Sequence, residues 1–328
     1  MSDPRVFCRA FRVLFVLFVF IVLAVPYVLF SAPPPPPNTL IALGTAQDGG
    51  YPQVACSCDR CDLARRDPKL ARKVASLALR SASGKTYLID ATPDLPEQIE
   101  AIHRWRAHPD DRTDRQPVDG ILLTHAHIGH YLGLAWLGFE TLSSREIPVW
   151  ASPRMAAYLR ANGPWSQLVG QKNVVLREFT PGEEFELEPG LKIEPLQVPH
   201  RDELSDTVGF LLRGPKRTVL YVPDTDSWRA WKKPLLDVLA EEKVDLALLD
   251  GTFYSRAELP DRDPATIGHP LITESMDLLG ERVKAGGLEV RFTHLNHSNL
   301  VLTQDDAARK SIAERGFAVL RDGDEIPF

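Results

Sequence analysis

Three of the nine histidines in this 328-residue chain fall within six positions, as His125, His127 and His130 in Leu122-Leu123-Thr124-His125-Ala126-His127-Ile128-Gly129-His130. Neutral imidazole is the commonest protein ligand for a divalent metal. The apolar run Gly120-Ile121-Leu122-Leu123 in front reads as a buried strand, and Tyr131 to Leu137 behind reads as the start of a helix. In extended backbone, residues two apart point to the same side. His125 and His127 can therefore hold one ion while His130 swings to a neighbouring position. A second concentration is Cys56-Ser57-Cys58-Asp59-Arg60-Cys61. Three thiolates at that spacing can share one ion, and a tetrahedral structural zinc then needs a fourth ligand from elsewhere. The competing reading is one disulfide and a spare thiol.

Separate apolar strands must bring such groups together. Thr39 to Leu43 reads as a first strand, ending in the glycine-rich turn Gly44 to Gln53. This turn is no phosphate loop, because no Gly-Lys-Ser/Thr follows and no helix opens on it. Val74 to Arg80 and Thr86 to Asp90 read as a hairpin around Ser83-Gly84, after which Asp90-Ala91-Thr92-Pro93-Asp94-Leu95 opens a helix running to about His108. His103 and His108 on that helix read as surface residues. Ile147 to Ala151 is a strand, and Ser152 with Pro153 opens a helix to about Asn162. Val174 to Phe179, Glu184 to Leu187, Leu191 to Val198, Asp206 to Arg213 and Arg217 to Val222 continue the β-structure, followed by Leu246 to Leu249 and Leu288 to Thr293. Strand after strand ends in a potential ligand: the histidine triplet, His200, Asp224, Asp250 and His294. In a layered α/β protein such ends collect on one edge, so ligands distant in sequence converge there. The segment Trp228 to Glu242, with Trp228 and Trp231, reads as an amphipathic packing helix, the alternative being a substrate-facing cap.

His-x-His-x-x-His after an apolar strand resembles the metal-binding loop of the metallo-β-lactamase superfamily, whose usual form is His-x-His-x-Asp-His. The resemblance covers residues 39–328 and implies an α/β fold, a four-layer αβ/βα sandwich with metals at its edge. It implies a first metal on His125, His127 and His200, a second on His130 and His294, Asp224 bridging the two, and Asp90 bracing the histidine loop. Asp224 and His294 are then the catalytic candidates. Gly129 stands where that pattern has Asp, which predicts a weakened second metal: a one-metal site or a looser pair. The turn Gly44 to Gln53 with its cysteine cluster resembles both the pyrroloquinoline-quinone biosynthesis protein B family and the phosphodiesterases of phosphonate breakdown. The latter resemblance implies that His297, three residues after His294, completes a structural zinc with Cys56, Cys58 and Cys61. Ile89 to Leu95, Leu249 to Phe253 and Ile267-Gly268-His269-Pro270 favour the biosynthesis-protein-B branch.

Val13 to Phe30 is an apolar run preceded by Arg5, Arg9 and Arg12, long enough to cross a bilayer with its amino terminus inside. We read residues 1–32 as an uncleaved anchor; the alternative is a cleaved signal, for which Leu29-Phe30-Ser31-Ala32 is a poor cleavage match. Residues 33–38 follow as a polyproline spacer, its five prolines spanning roughly 15 Å. Both readings put the domain outside the cytoplasm, membrane-anchored or secreted, and in a periplasm if the source is Gram-negative. A net charge of −6 with no basic stripe argues against nucleic acid as a partner. The expected activity is metal-dependent hydrolysis of a small-molecule phosphodiester or ester with zinc. Iron or manganese at the catalytic site, with oxidative chemistry for iron, is the alternative, and metal binding without catalysis is the third.

Overall fold

The computed structural model describes residues 38–103, 115–260, 268–303 and 306–328. The apolar run Val13 to Phe30, the prolines 33–37, His108 and Ile267 lie outside the described residues. Among the described residues no helix is long and apolar enough to cross a membrane. Strands β1 (Thr39–Gly44), β2 (Ser76–Arg80), β3 (Thr86–Ile89), β4 (Gly120–Leu122), β5 (Ile147–Ala151) and β6 (Val174–Glu178) belong to one sheet. Strands β7 (Phe185–Glu188), β8 (Leu191–Val198), β9 (Thr207–Arg213), β10 (Thr218–Val222), β11 (Leu246–Asp250), β12 (Glu289–Thr293) and β13 (Ala318–Val319) form the other. The last strand, β14 (Glu325–Pro327), returns to the first sheet and pairs with β1. The orders are β14-β1-β2-β3-β4-β5-β6 and β13-β12-β11-β10-β9-β8-β7. Both sheets are mixed: β3 to β6 pair in parallel in one, and β10 to β13 in the other.

The period-2 geometry of a strand accounts for the layers, since successive side chains point to opposite faces. In β1, Leu40 and Ala42 pack into one core with Ile89, Phe210, Leu246 and Leu248 from both sheets. The alternate residues Ile41 and Leu43 pack outward with Leu95 and Leu159 from helices Leu95–His103 and Pro153–Ala161. In β11 the alternate residues Ala247 and Leu249 pack with Leu235, Met276 and Leu279 from helices Leu235–Glu241 and Ile272–Ala285. The order across the molecule is helices, sheet, sheet, helices. A strand apolar on both faces is what a sheet covered on both sides requires.

Some local expectations change. The segment behind the histidines is one helical turn, Ile128–Tyr131, followed by a 3₁₀ stretch Leu132–Leu137, where a helix was expected. Close approach sets this: Gly133 donates to the Ala91 carbonyl at 2.9 Å, and a Cβ there would lie 2.1 Å from the Thr92 carbonyl oxygen. The segment Trp228 to Glu242 is a 3₁₀ turn, Trp228–Ala230, and a separate helix, Leu235–Glu241, where one helix was expected, and its Trp231, Leu235, Val238 and Leu239 are buried in the core.

Candidate metal centre

The ends of β3, β4, β8, β10 and β12 meet at one edge between the sheets. One carboxylate oxygen, Asp224 Oδ2 just beyond β10, lies 3.4 Å from His125 Nε2, 3.9 Å from His127 Nδ1 and 3.2 Å from His200 Nε2. The same oxygen lies 3.8 Å from both His130 Nε2 and His294 Nε2. Five imidazoles from three parts of the chain therefore surround one buried carboxylate. Burial pushes the Asp224 carboxyl up, but His294, His269, His125 and His127 outweigh this and hold it well below the usual carboxylate range.

Two matching braces set the ring orientations. Asp90, at the end of β3 with φ 69°, accepts from the Thr124 amide at 2.8 Å, the Thr124 hydroxyl at 2.9 Å and His130 Nδ1–H at 2.7 Å. With its hydrogen committed to Asp90, the Thr124 hydroxyl accepts from His125 Nδ1–H at 3.0 Å. Asp250, at the end of β11, does the same in the other half. It accepts from the Thr252 hydroxyl at 2.7 Å, which in turn accepts from His294 Nδ1–H at 3.0 Å. Both devices commit Nδ1 and leave Nε2 of His125, His130 and His294 facing inward. Asp250 was read as a potential ligand. Its oxygens accept from the Thr225 and Thr252 amides, the Thr252 hydroxyl and His269 Nδ1–H, and it also stands with Asp224, His269 and His294 in a group whose donor atoms lie close enough to share an ion.

Two side chains enter the site that sequence reading did not assign to it. Asp48, in the glycine-rich turn, puts Oδ1 3.5 Å from His130 Nε2 and 3.7 Å from His294 Nε2. His269 puts Nδ1 2.9 Å from Asp250 Oδ2 and 3.3 Å from Asp224 Oδ1. Burial lowers its pKa, but Asp250 and Asp224 overcome this and raise it to about 9. The only signal for Asp48 was an acid beside glycines in a turn; for His269 it was the Gly-His-Pro motif itself.

The centre fits a metal on its own chemistry. His125 Nε2, His130 Nε2, His294 Nε2 and Asp48 Oδ1 are buried, with no hydrogen bond to the described residues. Buried polar atoms of this kind are rare unless something else satisfies them. Nitrogen and carboxylate donors without sulfur suit zinc, iron or manganese.

The cysteine cluster forms a second donor set. His297 Nδ1 lies 3.5 Å from Cys56 Sγ, 3.8 Å from Cys58 Sγ and 3.6 Å from Cys61 Sγ. Tetrahedral zinc with ordinary Zn–S and Zn–N bonds separates sulfur from nitrogen by about 3.6 Å. The three cysteines are free, so the disulfide reading does not describe them. Burial pushes the Cys61 thiol up to about 12, with the neighbouring thiolate adding to it. Burial acts the same way on Cys58, but hydrogen bonds from the Cys61 amide and His297 bring it down to about 6. Without a cation the cluster tolerates one thiolate poorly shared, and a bound divalent ion removes that conflict.

The model of the beta-lactamase superfamily domain matches residues 85–295, which hold the histidine triplet, His200, Asp224 and His294. The chain belongs to the beta-lactamase superfamily. Within it the chain is similar to coenzyme PQQ synthesis protein B of Rhodopseudomonas palustris (strain TIE-1), at 30% identity over 332 residues covering 88% of this chain and 98% of the relative. The protein of that name from Methylobacterium sp. (strain 4-46) is 27% identical over 86% of this chain and 97% of its own. The structure of Zn2+-bound PqqB from Methylobacterium extorquens superposes with a TM-score of 0.73 at 24% identity, covering 88% of this chain and all of that one. A diphosphatase from the PhnP family superposes at 0.62 with 22% identity, over 89% of this chain and 97% of that one.

Two outcomes follow from the braces of this superfamily site. Thr252→Val removes the hydroxyl between Asp250 and His294 and is expected to weaken zinc binding at the histidine centre by about 10–100-fold. A zinc titration giving the parent affinity would refute the orienting role. For His130, burial lowers the pKa, but Asp90 chiefly, with Asp48 and Asp224, raises it to about 9. Below that value the metal-free ring carries an Nε2 proton that an ion must displace. Zinc affinity is therefore expected to rise about tenfold per pH unit from neutrality and to level off above about pH 9. A flat profile over pH 7–9 contradicts this.

Proposed function

We propose that this protein is a zinc-dependent hydrolase of a small-molecule phosphodiester or ester. The observation that carries the reading is Asp224 Oδ2 lying within 3.9 Å of five imidazole nitrogens, a placement from which it could serve two adjacent ions. His125, His127 and His200 would hold one ion, His130 and His294 the other, with Asp224 between them. Bound zinc lowers the pKa of its water from 15.7 towards about 7 and polarises the scissile bond. Asp224, as the ligand common to both groups, would help to orient that water. His269, 15% exposed and held protonated by Asp250, faces the same space and is positioned to steady substrate negative charge or protonate a leaving oxygen. The diphosphatase likeness is compatible with this chemistry.

A second reading is an iron-dependent oxidative enzyme; the relatives' name, coenzyme PQQ synthesis protein B, supports its link to coenzyme PQQ synthesis and the nitrogen and carboxylate donors admit iron. A metal-binding protein without catalysis is the third. One experiment separates them. The full chain, stripped of metal and reloaded with zinc, iron or manganese, is assayed on a panel of chromogenic phosphodiesters and esters, with oxygen uptake recorded in parallel. Zinc-restored hydrolysis supports the first reading. Oxygen consumption with iron alone moves the assignment to the second, and tight metal with no turnover to the third.

The run Val13 to Phe30 and the arginines before it support a membrane tether with the domain outside the cytoplasm, the secreted form being the alternative. Extraction of the native protein by salt and carbonate, without detergent, would rule out the tether.

A further inference from the structure

We propose that Asp48, from the glycine-rich turn, is the carboxylate ligand of the second ion, standing in for the residue that Gly129 lacks. This rests on the metal-centre reading above and deepens it. The superfamily pattern places an Asp at position 129, and its loss predicted a weak second site. The structure supplies another carboxylate at that place. A Cβ built on Gly129 would lie 2.1 Å from Asp48 Oδ1, 2.8 Å from its Cγ and 2.9 Å from its Cα. Any side chain at 129 would thus collide with Asp48, backbone included. Position 129 is glycine because the acid arrives from position 48.

The carboxylate is aimed at the two imidazoles of the second group. Its Oδ1 is buried, without a hydrogen bond to the described residues, and faces His130 Nε2 and His294 Nε2, which are equally without one. The turn that carries it is built in from both sides. Ala46 donates to the Lys73 carbonyl at 2.8 Å, Gln47 to the Leu295 carbonyl at 2.9 Å, and Gly50 back to Gln47 at 2.8 Å. The Asn296 side-chain amide donates to Gln47 Oε1 as well. The segment next to Asp48 is therefore tied to the segment carrying His294. A ligand held this way is preorganised and loses little freedom on binding.

The test is an exchange in the full chain, read as zinc per chain and as affinity by competition with a chromophoric chelator. The parent is expected to hold three zinc ions, one at the cysteines and two at the histidine centre. Asp48→Asn keeps the shape and removes the charge, and it should weaken one histidine-centre ion by at least about 100-fold. Gly129→Asp alone should also lose that ion, because the two side chains overlap. Asp48→Gly combined with Gly129→Asp should recover it to within about tenfold of the parent. Parent affinity in Asp48→Asn overturns the proposal, and so does an exchange variant no better than Asp48→Gly. A parent with one ion at the histidine centre overturns it too. The cysteine-bound zinc and circular dichroism report folding in every variant. These readouts do not involve turnover, so a failed hydrolase assay with zinc counts that follow the exchange would reject the activity and leave the ligand assignment standing.

Discussion

Asp224→Ala is expected to lower turnover of whichever phosphodiester or ester the parent hydrolyses by about 10²–10⁴-fold, and to reduce zinc at both histidine-centre positions together. The reason is that a single side chain serves both groups. Asp224 is 3% exposed, and its Oδ2 is the atom common to His125, His127 and His200 on one side and His130 and His294 on the other. Removing the anion also leaves five clustered imidazoles facing one another, so cation binding loses its main electrostatic support. Asp224→Asn separates the effects: it keeps the volume, removes the charge, and should fall close to the alanine variant if charge dominates. Elemental analysis beside steady-state kinetics reads both quantities. Retention of two histidine-centre ions and parent turnover in Asp224→Ala would sink the shared-ligand account.

The second large effect is on stability. Cys58→Ser is expected to release the cysteine-bound zinc and to lower unfolding free energy by on the order of several kcal/mol, since structural zinc binding is worth roughly 10–16 kcal/mol in small zinc-dependent domains at neutral pH. The site joins the cysteine segment before and within helix Asp59–Arg66 to His297, two distant parts of the chain. Arg60 reinforces the join by donating to the Ser298 carbonyl. Neighbouring residues of those segments carry Asp48 and His294, so loss of the cysteine zinc should loosen the histidine centre as well. Thermal unfolding with and without a chelator, together with zinc counts, checks this. A Cys58→Ser variant with parent melting temperature and an unchanged histidine centre would show that the cluster is dispensable.

How much of this was legible in the chain differs by element. The strands carrying ligands were readable because β4 and β10 are continuous apolar runs, β8 and β12 alternate apolar with polar residues, and each runs into a polar residue at its end. β14 was not readable: a three-residue strand at the chain's end has too little pattern, and its pairing with β1 is a contact across nearly the whole described chain. For Asp250 the sequence could not say more than potential ligand, because a strand-end acid looks the same whether its oxygens face an ion or neighbouring threonine amides.

Residue spacing alone determined that this protein concentrates metal-binding chemistry: the His-x-His-x-x-His turn and the cysteine triplet are local, and local geometry follows from a few dihedral angles. Tertiary structure alone decided which carboxylates complete the centre. Asp48 and Gly129 are far apart in the chain, and nothing in either segment announces the other. Their relation is steric, a Cβ and a carboxylate that cannot share one volume, and it exists only once β1 and the histidine turn are folded against the same edge.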